Sequence, residues 1–420
     1  MLYYIPFLFF SFLLIIILRK KKQFDLSCYI LSIFAVSAFF SILRESEGLR
    51  VHVAEFYEIS VEATFVYCAL IGLCVLPFAL YPSPKLSNLQ RYSNPNVLKY
   101  LAIFSFVYLL IIVAFSATTI YSILTGNLGE LRFMVYEGES EYHLFDNFPP
   151  LVKSLLSIPN FIFGNSYILL FLAFVAYICP LPKKYAYMLF LSSLCDPIKS
   201  IINIDRSHIT YWIITLGACI ILFKDSISIR KNKHLLFFVG GILSALVLYL
   251  FMVTDSRAEY VEGESSVGLI DYLGQSYINF AYFYDYYDTQ DSYLQQYFPF
   301  LYLLFSPETP RGLELMDAIE IQEGIKTSVF YTYLGYAIIA GGKSLLITFI
   351  IVYLIITFTG LYYLSPKRYF YDLDFLYFYY ITSSIMFLGL FSYFYSSPPR
   401  NFSTIAMFLI LFITQRVRYK

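Results

Sequence analysis

The stretch "LKYLAIFSFVYLLIIVAFSATTI" (Leu98–Ile120) decides what kind of protein this is. From Tyr100 to Ile120 it holds no Asp, Glu, Lys or Arg. A helix of about 20 apolar residues spans roughly 30 Å, the hydrocarbon thickness of a bilayer. Backbone groups find no water partner there, so a helix that bonds internally is the economical solution. The run is continuous rather than alternating, which argues against a β-barrel strand.

The rest of the 420-residue chain repeats this pattern. Of its residues 59% are hydrophobic and 14% charged, with a mean hydropathy of +0.66. A soluble domain of this size keeps a more polar surface. Eleven apolar runs are expected to be spans, at about 2–18, 26–43, 62–80, 98–120, 151–178, 185–203, 207–223, 235–254, 343–363, 373–394 and 398–414. The expected fold class is an all-α polytopic membrane protein, a single integral membrane domain over 1–420. The first run has its basic cluster, Arg19–Lys22, after it rather than before it. It is read as an uncleaved helix, not a signal peptide.

Charge orients the spans. Basic clusters follow alternate spans: Arg19–Lys22, Lys85/Arg91/Lys99, Lys183/Lys184, Lys224/Arg230/Lys231/Lys233, Lys367/Arg368 and Arg416/Arg418/Lys420. The positive-inside rule makes that side cytoplasmic, which puts the N-terminus outside and the C-terminus inside. All of the 29 acidic residues except Asp25, Asp225, Asp372 and Asp374 fall on the other side or near it. The polar mass therefore faces outward, in segments near 44–61, 121–150 and the large loop region 255–342. Within the last, "QYFPFLYLLF" (Gln296–Phe305) is too short to span and reads as interfacial or re-entrant.

That loop carries "GQSYINFAYFYDYYDTQ" (Gly274–Gln290), in which half of the residues from Tyr277 onward are aromatic. Two readings stand. The rings pack at the bilayer interface, where Tyr and Phe gather. Or they form a wall for a sugar chain, with Tyr277, Asn279, Tyr284 and Asp285 supplying ring faces and hydrogen bonds.

Catalytic motifs of soluble enzymes are absent: there is no GxxxxGK[ST], HExxH or GxSxG. The six cysteines all lie in apolar runs and suggest neither disulfides nor a metal site. Arginines at the outer boundary stand out instead. "NIDRSHITYW" places Asp205, Arg206 and His208 between two spans, and "TDSRAEY" places Asp255, Arg257 and Glu259 at the end of the next. "GNLGELRFMVYEGES" carries Arg132, and "SPETPRGLELMD" carries Arg311. Arginine is costly to desolvate there, and its rigid fork of donors matches phosphate. Several such residues would hold a lipid diphosphate and stabilise it as a leaving group. Ordinary local ion pairs, Asp205–Arg206 and Arg257–Glu259, are the plainer reading. Asp196 and Lys199 inside a span point to a cavity or a partner.

These residues carry a resemblance. The single-Arg outer turn "DRSH", the basic inner segment, one further helix, the dominant outer loop and then "KTSVFYTYLGYAIIAGGKSLLITFII" (Lys326–Ile351) resemble the oligosaccharide repeat-unit polymerases of bacterial O-antigen and capsule assembly, the Wzy type. The resemblance covers nearly the whole chain through short motifs. It implies a fold like that of the GT-C-type polymerases and O-antigen ligases. It implies a glycosyltransferase of the bacterial inner membrane that joins undecaprenyl-diphosphate-linked oligosaccharides on the periplasmic face, for lipopolysaccharide or capsular polysaccharide. No metal or other cofactor is expected. Expected partners are the lipid-linked oligosaccharide, membrane lipids, and a chain-length regulator and flippase; nucleic acid is not among them.

The resemblance implicates outer-loop arginines, here Arg206 and Arg257, then Arg132 and Arg311. Asp205, His208, Glu259 and Asp285 are base candidates by chemistry alone. The related ligases use a His in the large outer loop, and none lies between Asp255 and Gly342. The alternatives are a lipid-linked oligosaccharide flippase, a ligase-type transferase and a membrane acyltransferase.

Overall fold

The computed structural model describes residues 2–46, 57–81, 95–126, 159–227, 233–260, 268–287, 294–306, 313–323, 330–364 and 373–416. Among the described residues there is no β-strand. The longer helices are α1 (Tyr4–Lys21), α2 (Leu26–Ser46), α3 (Val61–Leu80), α4 (Pro95–Thr125) and α5 (Ser166–Ile178). Next come α6 (Lys183–Ser192), α7 (Cys195–Ile202), α8 (Ser207–Phe223), α9 (Lys233–Tyr260) and α10 (Gly268–Tyr286). The chain closes with α11 (Pro299–Phe305), α12 (Leu313–Glu323), α13 (Thr332–Leu364), α14 (Leu373–Phe387) and α15 (Pro398–Arg416).

Among the described residues five stretches, in α2, α3, α4, α9 and α13, are long and apolar enough to cross a membrane; α5 and α8 are shorter apolar helices. The chain is a helical membrane protein. Its outward side chains fit that solvent. Helix α9 exposes Phe237, Leu248 and Phe251, and α4 exposes Tyr100, Phe104 and Leu110. Such apolar surface would be a liability in water and is ordinary in lipid.

The chain divides into two units, one of residues 1–84 and 269–401, the other of 85–268 and 402–420. In the first unit α1 ends on Arg19, Lys20 and Lys21, whose charges suit the carbonyl end of a helix. Lys21 then bridges three helices: its Nζ donates to Asp25 Oδ2 at 2.5 Å and to Phe78 O, near the end of α3, at 2.6 Å. Ser60 caps α3 by accepting from Ala63 N at 3.0 Å.

The structure revises several expected spans; that at 373–394 is α-helical only to Phe387. The run at 185–203 is not one helix: it breaks at Ser193 and Leu194 into α6 and α7. The span expected at 343–363 begins earlier, in a first segment whose residues Tyr331 to Gly342 are all buried. Gly341 and Gly342 leave helical geometry there, Gly342 with φ 67°. A side chain at that φ would be strained, which is why glycine sits there.

The region 255–342 also holds α10. This helix crosses α2 at small residues. Ser37 Oγ donates to Leu273 O at 2.8 Å, and Ser41 Oγ to Gly274 O at 2.6 Å. Small residues and hydroxyls let helix backbones approach in a membrane protein.

Candidate functional site

The turn between α7 and α8 is built from its own side chains. Ile204 takes a left-handed φ of 49°, which reverses the chain. Asp205 N donates to Ser200 O at 3.0 Å. Asp205 Oδ1 accepts from Ser207 N at 3.0 Å, from Ser207 Oγ at 3.1 Å, and from Ser200 Oγ. Ser200 Oγ in turn accepts from His208 N at 3.2 Å. The carboxylate thus meets the free donors that open α8, as a capping residue does.

This turn presents Arg206, which is only 7% exposed. Its Nη1 donates to Thr254 Oγ1 on α9 at 3.2 Å. Tyr249, also on α9, lies 3.4 Å from Ser200 O and 3.3 Å from Ile201 O, so α9 meets this turn at two levels. Arg257 follows Thr254 by three residues, just under a turn of the same helix. Helix α9 continues through Asp255, Arg257 and Glu259, whose side chains lie outside the described residues. His208 is the second residue of α8; its Nδ1 is 3.3 Å from Tyr167 Oη, and that hydroxyl donates to His208 O at 3.1 Å.

Just before the turn, within α7, lies an ion pair between buried Asp196 and the largely buried Lys199. Lys199 Nζ donates to Asp196 Oδ1 at 3.2 Å and to Asn160 Oδ1 at 3.4 Å. Asp196 Oδ2 accepts from Ser166 N, at the start of α5, at 3.3 Å. Tyr108 Oη donates to Asn160 Oδ1 at 3.1 Å. A charge pair at this depth is tolerable because each member is hydrogen-bonded.

The aromatic tract belongs to the first unit. Tyr277 and Asn279 have no exposed surface. Tyr277 Oη lies 2.7 Å from Thr64 Oγ1, and its ring packs on Tyr67 at 5.0 Å. Asn279 Nδ2 donates to Phe330 O at 2.7 Å, while Gln275 Oε1 accepts from Phe330 N at 3.4 Å. These two side chains hold the N–H and the carbonyl of one residue, Phe330, just before α13. Tyr277 and Asn279 therefore stand inside the helix cluster and not on the wall of an open loop, a correction to their expected placement.

Tyr284 and Asp285 sit at the helix edge. Tyr284 Oη donates to Glu62 Oε1 at 2.7 Å. Burial, and then this bond to Glu62, push the Tyr284 phenol up to about 12. Asp285 accepts from Tyr57 Oη at 2.7 Å and from Ser60 Oγ at 2.8 Å. Arg132 and Arg311 lie outside the described residues.

One further arginine at a helix start was not among the expected residues. Arg400, near the start of α15, places its guanidinium 4.5 Å over the Phe394 ring. The signal was "SSPPRN" (Ser396–Asn401), a lone Arg after two prolines at a helix start. Among the described residues no group of three or more His, Cys, Asp and Glu converges as a metal site. Comparison with protein-family models, curated proteins and solved structures finds no match.

Proposed function

We propose that the chain is an eleven-span glycosyltransferase of the bacterial inner membrane. It joins undecaprenyl-diphosphate-linked oligosaccharide repeat units on the periplasmic face into O-antigen or capsular polysaccharide. An acceptor hydroxyl attacks the anomeric carbon of the donor chain. A glycosidic C–O bond forms, the bond from carbon to the lipid diphosphate breaks, and the hydroxyl proton passes to a base. The lipid diphosphate leaves with its negative charge, so the catalyst must stabilise that charge.

The observation that carries this reading is Arg206. It is fixed in a self-bonded turn at a helix junction and anchored to α9 one turn before Arg257. A planar cation held in place meets a diphosphate with little reorganisation. Arg257 is the second donor in this reading, Arg132 and Arg311 further ones. His208 or a nearby carboxylate such as Glu259 takes the proton.

A second reading is favoured by one feature. The break of α13 at Gly341 and Gly342 is the kind of discontinuity transporters place at binding sites. A flippase for the same lipid-linked sugar is that alternative. Deleting the gene separates the two. Loss of polymerisation leaves single repeat units outside the inner membrane and a ladder collapsed to one capped unit. Loss of a flippase leaves units on the cytoplasmic face only.

A further inference from the structure

Helix α10 spends its aromatic residues on three faces, and one of them is left open. Tyr277, Phe280 and Tyr284 recur at helical spacing; Tyr277 and Phe280 pack on Tyr67 of α3. Phe283 meets Tyr331 edge-on at 5.4 Å, and Tyr287 reaches Ile339 O. Tyr282 and Tyr286, one turn apart, form the third face. Their rings stack at 5.2 Å and 28°, and Tyr286 is 67% exposed.

Tyr57 completes this face, edge-on to Tyr282 at 5.4 Å and to Tyr286 at 5.6 Å. Its hydroxyl is bound to Asp285 Oδ2, and Asp285 is held by Ser60. Burial, then Asp285, push the Tyr57 phenol well above its ordinary value, so it stays a neutral donor. Beside it Glu62 is exposed and holds Tyr284, over whose ring Lys343 Nζ sits at 4.2 Å.

We infer that Tyr57, Tyr282 and Tyr286, with the carboxylates of Glu62 and Asp285, bind a sugar ring of the oligosaccharide. The inference rests on the polymerase reading for its substrate class. Flat phenol rings offer area to the apolar face of a pyranose, while carboxylates beside them accept its hydroxyl hydrogens. The rings are already positioned by Asp285 and by one another, so little ordering cost falls on binding. Tyrosines also gather where a bilayer meets water. Among the described residues of this face, Glu62 and Asp285 set two carboxylates against the Lys343 ammonium, a balance that suits neutral hydroxyls over anionic headgroups.

The test uses the full chain in nanodiscs of neutral phosphatidylcholine. The probe is the strain's own surface polysaccharide, cut by partial acid hydrolysis to oligosaccharides and labelled with a fluorophore at the reducing end. Fluorescence anisotropy reads binding. Tyr282→Ala/Tyr286→Ala is expected to weaken it about tenfold, and Tyr286→Ala alone about threefold. Tyr286→Phe and Tyr286→Trp are expected to bind like the parent. Tyr286 lies at the surface, so its single variant keeps the test open should the double variant fail to fold.

Two results overturn the platform: no binding by the parent, or equal binding by parent and Tyr286→Ala. Equal binding with a weakened hold of the variant on vesicles assigns the rings to the bilayer interface instead. The polymerase reading fails by a different result, a full polymer ladder in the deletion strain.

Discussion

Arg206 and Thr254 tie the junction of α7 and α8 to α9, with Nη1 of Arg206 3.2 Å from the threonine Oγ1. In the polymerase reading this bond aims a guanidinium at the leaving diphosphate. Removing one donor to a developing anion costs about 100-fold or more in turnover. Arg206→Ala is expected to lose about that much, measured with purified lipid-linked repeat units. Arg206→Lys recovers only part, because an ammonium lacks the planar fork. Thr254→Val removes the aim but not the charge and is expected to cost about tenfold. Full activity in Arg206→Ala refutes the assignment.

Asp205 has a different expected behaviour. Its Oδ1 accepts three bonds that hold the turn together. Asp205→Asn keeps an acceptor there and is expected to retain activity within about threefold. Asp205→Ala exposes the end of α8 and is expected to lose about 1–2 kcal/mol of stability. A loss near 100-fold in Asp205→Asn, with unchanged thermal stability, would instead make the carboxylate the base.

The close crossing of α10 and α2 predicts a steric penalty. A Cβ on Gly274 would lie 2.6 Å from Phe40 O and 2.7 Å from its carbonyl carbon. Backbone cannot swing aside as a side chain can. Gly274→Ala is expected to destabilise by about 1–3 kcal/mol, the usual range for overpacking. Gly240 on α9 has nothing within 4 Å of such a Cβ. There Gly240→Ala is expected to be neutral or to stabilise by up to about 1 kcal/mol. Thermal unfolding of the two variants in one detergent checks the contrast.

Between α1 and α2, Asp25 is 2% exposed and paired with Lys21 at 2.5 Å. Burial alone would raise its carboxyl. The bonds from Lys21 and Ser27, the Lys21 charge and the Cys28 backbone N–H outweigh burial and hold it below its ordinary value. A carboxylate lowered by folding adds stability above its unfolded pKa of about 3.9, and that stability fades as pH falls through the folded value. Asp25→Asn is expected to cost about 3 kcal/mol at pH 7. The gap between parent and variant should shrink as unfolding is followed toward pH 3. A gap independent of pH would assign the cost to packing.

How much of this could be read in advance depended on the kind of residue. Leu98–Ile120 announces its helix because length and hydropathy are summed over many side chains. The break at Ser193 and Leu194 is lost in such a sum, because Leu189, Phe190, Leu191, Leu194 and Ile198 outweigh the Ser192–Ser193 pair and Asp196–Pro197 that mark it. Helix α10 hid behind Gln275, Ser276 and Asn279, which lower its hydropathy yet lie buried. Gln275 and Asn279 can be buried because the backbone of Phe330 answers them, and that partner is 55 and 51 residues away in sequence. The recurrence of Tyr277, Phe280, Ala281 and Tyr284 at helical spacing was the legible clue. Arg206 was visible as a lone cation at a boundary. Its anchor on Thr254 was not, because only the folded chain brings α8 and α9 together.

The buried pair of Asp196 and Lys199 supplies the last prediction. Each charge is balanced by the other and by Ser166 N or Asn160. Asp196→Asn leaves a largely buried ammonium without its counter-charge, and Lys199→Met leaves a buried carboxylate. Either change is expected to cost about 3–5 kcal/mol, while Asp196→Asn/Lys199→Met recovers much of that loss. The cycle is read by thermal unfolding and should show coupling of roughly 1–3 kcal/mol. Because Lys199 precedes Ser200 in α7, the same singles are expected to lose polymer through a loosened Arg206 turn. The double variant then regains polymer along with stability. Additive costs would mean that the two charges do not support each other, and polymer lost in a stable double variant would give the pair a direct part in binding the lipid-linked sugar.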